Sequence, residues 1–139
     1  MTRVFAILLL IAGGGAGQNG DSCCKCEIHS ASESSGVVCL TEKEMRSHVD
    51  HIEPLQPSGL GTGLNLSGTV VMEIRFDPDG KVACARATSG HPIAISAATQ
   101  AIPKWTFKSI VSNGVRKTGC GRITIRYHLR DRGSSTELR

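Results

Sequence analysis

The sequence predicts an α+β domain in two layers. One helix packs on a three-stranded antiparallel sheet in the order strand, strand, helix, strand, with a short helix ahead of them. Three observations predict this. Residues 68–76 and 121–130 each alternate apolar and polar side chains, the period of a strand with one buried face. Asp77-Pro78-Asp79-Gly80 is a turn sequence, with Pro at i+1 and Gly at i+3 as type I prefers, and it returns the chain as a hairpin. From Pro92 the chain carries small residues and ends on its single Trp, Trp105, as a helix closing on a sheet would.

From the N-terminus, residues 1–17 read as a signal peptide or short anchor. Arg3 is the positive end, Val4 to Ala12 the apolar run, and Gly13 to Gly17 the small-residue stretch, with cleavage after Ala16 or Gly17. The run is well short of the ~20 apolar residues of a membrane span. Residues 18–67 read as a Cys-rich acidic leader. Its first part, residues 18–40, holds too little apolar surface to order itself without crosslinks. Thr41-Glu42-Lys43-Glu44 is a capping-box pattern that starts a helix over about 42–52, with Met45, Val49 and Ile52 on one face. Glu53 precedes Pro54 and is pushed to extended geometry, so the helix stops there. Residues 54–66, with two Pro and three Gly, read as a linker.

The domain proper spans 68–130. Val70, Met72, Ile74 and Phe76 form the inward face of the first strand. The return strand, 81–88, is so rich in Ala that its inward face cannot be assigned. Pro92 suits the first helical position, which puts His91 near the N-cap, and Pro103 ends or kinks the helix early. Asn113-Gly114 marks a turn. In the last strand Ile123, Ile125, Tyr127 and Leu129 point one way and Arg122, Thr124, Arg126, His128 and Arg130 the other. Residues 131–139 read as a disordered tail.

Charge is split along the chain. Residues 21–67 carry three Lys/Arg against seven Asp/Glu, a net of −4; residues 68–130 carry ten against three, a net of +7. The basic half points to an anionic partner, such as an acidic peptide or an anionic envelope surface. Nucleic acid is not expected as a partner, because the basic residues lack interleaved aromatics for base stacking and residues 1–17 read as an export segment. Export would place the six cysteines (Cys23, Cys24, Cys26, Cys39, Cys84 and Cys120) in an oxidising compartment. Fifteen full pairings are open. The simplest proposal joins Cys84 and Cys120, the two cysteines of the folded half.

Gly68-Thr69-Val70-Val71, the run Asp77 to Val82, Ser89-Gly90-His91-Pro92, Ala97, Ala98 and Ala101, and Trp105-Thr106-Phe107 form an ordered set. Together they make residues 66–130 resemble the TonB C-terminal domain family, with its glycine-led strand, D-x-x-G-x-V hairpin, S-G segment, alanine-containing helix and W-x-F signature. The resemblance implies a periplasmic domain that binds outer-membrane receptors. A short extended receptor box would add to the exposed edge of the last strand, through the backbone of Arg122, Ile123, Thr124, Ile125, Arg126, Tyr127 and His128. The chain departs from the family pattern in places. Ser109 stands where Pro is common, Pro103 interrupts the helix, and residues 54–66 are too short for the Pro-rich spacer of a full energy transducer.

Other chemistry is weaker. His91 lacks an activated nucleophile or a G-x-S-x-G elbow nearby and reads as a helix-start residue. His48 and His51 fall at i, i+3 on the first helix and read as surface residues. Cys23, Cys24, Cys26, His29 and Cys39 offer thiolates and imidazole, but not the spacing of a zinc site. The resulting expectation is a non-enzymatic periplasmic or secreted binding protein, tethered to the inner membrane if residues 1–17 are retained. It would use no cofactor and no metal, and its partner would be an outer-membrane receptor or other envelope protein. The alternative is a secreted metal- or redox-active protein working through the Cys-rich leader.

Overall fold

The computed structural model describes residues 36–57, 63–131 and 133–139. In chain order the elements are β1 (Val37–Leu40), α1 (Glu42–His48), β2 (Val49–His51), β3 (Asn65–Phe76), β4 (Val82–Ser89), α2 (Pro92–Ala101), a 3-10 turn at Ile102–Lys104, β5 (Thr106–Phe107), β6 (Ile110–Ser112), β7 (Val115–Arg130) and β8 (Ser135–Leu138).

The three expected strands are present as β4, β3 and β7, side by side and antiparallel. The sheet is larger than three strands, however. On the side of β7 away from β3, β1 pairs in parallel with residues 118–121 and β8 pairs antiparallel with residues 125–128, while β6 forms a hairpin with the start of β7. The result is a six-stranded mixed sheet, with β2 and β5 forming a separate two-stranded ladder.

One face of the sheet carries the core. Val70, Met72, Ile74 and Phe76 of β3 and Ile123, Ile125, Tyr127 and Leu129 of β7 are all buried, as the alternation requires. Against them lies the small face of α2, where Ala94, Ala97, Ala98 and Ala101 are buried. Short side chains let the helix backbone approach the sheet closely, which suits a chain with few aromatics. Phe76 and Phe107 stack with ring centroids 4.6 Å apart and planes at 2°. Trp105 is 1% exposed, and its indole Nε1 donates to the carbonyl of Glu53 at 2.9 Å.

Two glycines fix the backbone at close approaches. Gly80 has φ +84 and donates to the Asp77 carbonyl at 2.9 Å, closing the expected turn. Its own carbonyl accepts from Phe107 N at 2.8 Å, and a Cβ there would sit 1.8 Å from the Phe107 oxygen. Gly68 pairs with Tyr127 in register, and a Cβ would meet the phenol oxygen at 2.9 Å. The bare backbone of the glycine-led strand is therefore the floor on which the Tyr127 ring rests.

Helix starts follow the sequence. Thr41 and Glu44 form the reciprocal capping box of α1. The Thr41 amide and hydroxyl bonds hold the Glu44 carboxyl below its ordinary value. His91 is the N-cap of α2, accepting from Ile93 N at Nδ1 (3.3 Å), with Pro92 at the first helical position. Pro103 falls in the 3-10 turn that follows Ala101.

Several boundaries differ from expectation. The first helix ends at His48 rather than near 52, because Val49 turns extended and pairs with Phe107. His51 consequently lies on a strand, and it does not share a helix face with His48. The segment read as a linker is structured at both ends: Leu55 is fully buried and β3 begins at Asn65. Val37–Leu40, read as leader, forms β1. Ser135–Leu138, read as tail, forms β8 with Leu138 packed against the core. Residues 1–17, Cys23, Cys24, Cys26 and His29 lie outside the described residues.

Candidate partner-binding surface

The seven residues 122–128 all lie on β7, but their side chains divide between the two faces. Ile123, Ile125 and Tyr127 point into the core, and burial raises the Tyr127 phenol above its ordinary pKa. Arg122 and Arg126 are exposed on the outer face, with Thr124 and His128 half-buried beside them. Only the backbone edge and the outer face are therefore available to a partner.

The edge is not the unpaired row that strand addition calls for. Ile125 to His128 are paired with β8, and residues 118–121 are paired with β1. In the gap between them, Thr124 N donates to the Glu42 carboxylate at 2.9 Å and its carbonyl accepts from Arg139 N at 3.1 Å. The expected free edge is thus corrected: β1 and β8, strands from before and after the β3–β7 segment, cover it. This was not legible from a polar tail such as Ser-Thr-Glu-Leu, which becomes a strand only because β7 offers it hydrogen bonds. Among the described residues the sheet's open long edge is that of β4, touched only by an isolated bridge from Lys81 to Thr106.

The outer face is basic around one carboxylate. Glu73 accepts from Arg86 at 2.7 Å and from Arg122 at 3.4 Å. The Arg86 hydrogen bond, reinforced by Arg122, holds the Glu73 carboxyl below its ordinary value against the opposing effect of desolvation. Further along, Ser67, Thr69, Arg126, His128, Ser135 and Glu137 line a shallow polar concavity. Ser67 Oγ lies 2.5 Å from His128 Nδ1, the spacing of a nucleophile and base. Yet Arg130 Nε donates to His128 Nε2 at 2.6 Å. With Nε2 accepting, the ring proton sits on Nδ1 and points at Ser67, so the imidazole cannot take the serine proton. The imidazole therefore donates to the serine hydroxyl instead of activating it.

The cysteines form a row across the same face. Cys39 of β1, Cys120 of β7, Arg75 of β3 and Cys84 of β4 are successive register partners. Cys39 is a free, exposed thiol, whereas Cys84 and Cys120 are each disulfide-bonded. The expected bond between Cys84 and Cys120 does not fit this row. They sit on either side of β3, two strand spacings or ~9.5 Å apart, beyond the ~7 Å limit for a disulfide. Among the described residues no group of three His, Cys, Asp or Glu side chains gathers as a metal site, and no helix is long and apolar enough to cross a membrane.

No curated protein and no solved structure matches the chain. Residues 63–129, from just before β3 almost to the end of β7, match the family model described as "Gram-negative bacterial TonB protein C-terminal", and this segment of the chain is placed in that family.

Proposed function

We infer that the protein is a non-enzymatic envelope protein that binds an extended segment of an outer-membrane receptor or other envelope protein by strand addition at β7. The family is one of non-catalytic domains that interact with outer-membrane proteins, which supports an envelope location in or facing the periplasm. The observation that carries the reading is β8. A four-residue segment at the end of the chain lies on Ile125–His128 as an antiparallel strand. It puts Leu138 toward the core and Glu137 beside Arg126 on the outer face. The edge therefore accepts an extended peptide with alternating side-chain demands, as strand addition requires. A receptor segment occupies this place by displacing β8, and an acidic one gains from Arg122, Arg126 and Arg130.

The open edge of β4 favours a second reading, in which the partner adds there without displacing anything. One titration separates the two. Isotope-labelled protein is titrated with synthetic peptides of receptor-box type and the amide shifts are followed. Shifts over 124–128 together with 135–138 support exchange at β7. Shifts confined to 82–89 transfer the site to β4. No saturable shift at either edge overturns strand addition altogether.

A further inference from the structure

We propose that the outer face of the sheet between β4 and β7 is the docking site of the chain's own leader, clamped there by two disulfides from Cys84 and Cys120 to two of Cys23, Cys24 and Cys26. The first support is elimination. The chain has six cysteines, of which Cys39 is free and Cys84 and Cys120 are bonded. A bond between the latter two is barred by β3 between them. Cys39 makes the case sharper. It faces Cys120 in register on the neighbouring strand, about 4.8 Å away and within disulfide reach, yet keeps its thiol. Cys120 is committed elsewhere, and only the leader cysteines remain.

The second support is burial and charge. Both helices pack on the opposite face, yet Cys120 is 1% exposed and the Arg75 Nε beside it is buried. Around the row the face carries Arg75, Arg86 and Arg122 against Glu73 alone. Residues 21–35 carry Asp21, Glu27 and Glu33 against Lys25 alone. The two surfaces are complementary in sign.

The third is reach. In extended chain Cys24 and Cys26 point to the same side about 7 Å apart, and with the ~4.4–6.8 Å Cα–Cα span of each disulfide they reach the two anchors, ~9.5 Å apart across β3. The nine residues between Cys26 and Gly36 then return the chain to β1 with length to spare. Each bond forms when two thiols give up two protons and two electrons. An oxidised dithiol protein of the envelope takes the electrons by thiol–disulfide exchange and is itself reduced to the dithiol. The clamp is independent of which edge the partner uses, so its failure leaves the strand-addition reading standing, and the reverse.

Non-reducing tryptic mapping of the full chain, purified after export and alkylated to block free thiols, tests it. Cleavage after Lys25, Lys81, Arg86, Lys117 and Arg122 separates Cys23 and Cys24 from Cys26, and isolates Cys84 and Cys120. The expected products are peptides 82–86 and 118–122 each linked to a leader peptide, with fragmentation placing the bond on Cys23, Cys24 or Cys26 and Cys39 alkylated. Because Cys26 and Cys39 share a tryptic peptide, the Cys39→Ser variant must give the same map. Linkage of 82–86 to 118–122, alkylation of Cys84 or Cys120, a bond to Cys39, or linkages present only in a covalent dimer overturn the proposal.

Discussion

Deletion of residues 133–139 tests the role assigned to β8. The segment makes four register pairs with β7, and Thr136 Oγ1 accepts from the buried Leu55 N at 3.0 Å. Backbone bonds at ~0.5–1 kcal/mol net each and the partial burial of Leu138 at ~1 kcal/mol give a gross gain of about 4–5 kcal/mol. Ordering four residues costs about 1 kcal/mol apiece at the low end. The net is about 1 kcal/mol in favour of the closed edge, a fivefold bias. A peptide that must displace β8 has its apparent affinity reduced by that bias, so the truncated protein binds about fivefold more tightly. Isothermal titration of full-length and truncated protein against the same receptor-box peptide measures it, while urea unfolding checks that stability falls by only ~1 kcal/mol. Unchanged or weaker binding by a folded truncated protein would refute the displacement step.

Three further outcomes follow from the packing. Gly80→Ala puts a Cβ at φ +84 and 1.8 Å from the Phe107 carbonyl, so stability should fall by about 3–5 kcal/mol; Gly114→Ala, at φ +76 with nothing within 4 Å, should lose only the ~1 kcal/mol of the backbone conformation. Equal costs in urea titrations of the two variants would show that the contact with Phe107 is not what fixes Gly80. Glu73→Gln should destabilise by about 1 kcal/mol at pH 7, a modest figure because Arg86 and Arg122 are partly in water. Since the folded carboxyl titrates below its ordinary value, its contribution is complete above about pH 4.3 and disappears as pH falls through the lowered folded value. The variant's stability should converge on wild type in acid, and a gap that persists or widens there would contradict the ion-pair account. His91→Ala removes only an N-cap acceptor at 3.3 Å, so thermal melts should show a loss of about 0.5 kcal/mol and peptide binding should not change.

What the sequence made legible is what local periodicity encodes. The inward residues of β3 and β7, the Asp77–Gly80 turn, the His91–Pro92 helix start and the capping box at Thr41 all follow from side chains within one turn or one strand. The missed elements depend on distant hydrogen bonds. β2 exists because Val49 finds Phe107, and Lys108 N bonds the His48 carbonyl at 2.6 Å just where the helix was expected to continue. β1 and β8 exist because one long strand had an edge to cover. That same dependence hid the cover on the β7 edge: a strand whose alternation is plain gives no sign of what lies beside it. The inward face of β4 was hidden by its alanines, and only register shows Ala85 and Ala87 meeting Ile74 and Met72 while Cys84 turns outward beside Arg75.

The bond from the Trp105 indole to Glu53 gives the molecule its own optical probe. Trp105 is the single tryptophan of the chain, and its nitrogen is held by a residue that precedes the family-matched segment. Its emission is therefore sensitive both to unfolding of the sheet and to release of the 49–55 segment from it. A spectral shift that precedes loss of the far-ultraviolet signal would time the detachment of the N-terminal strap from an otherwise intact domain.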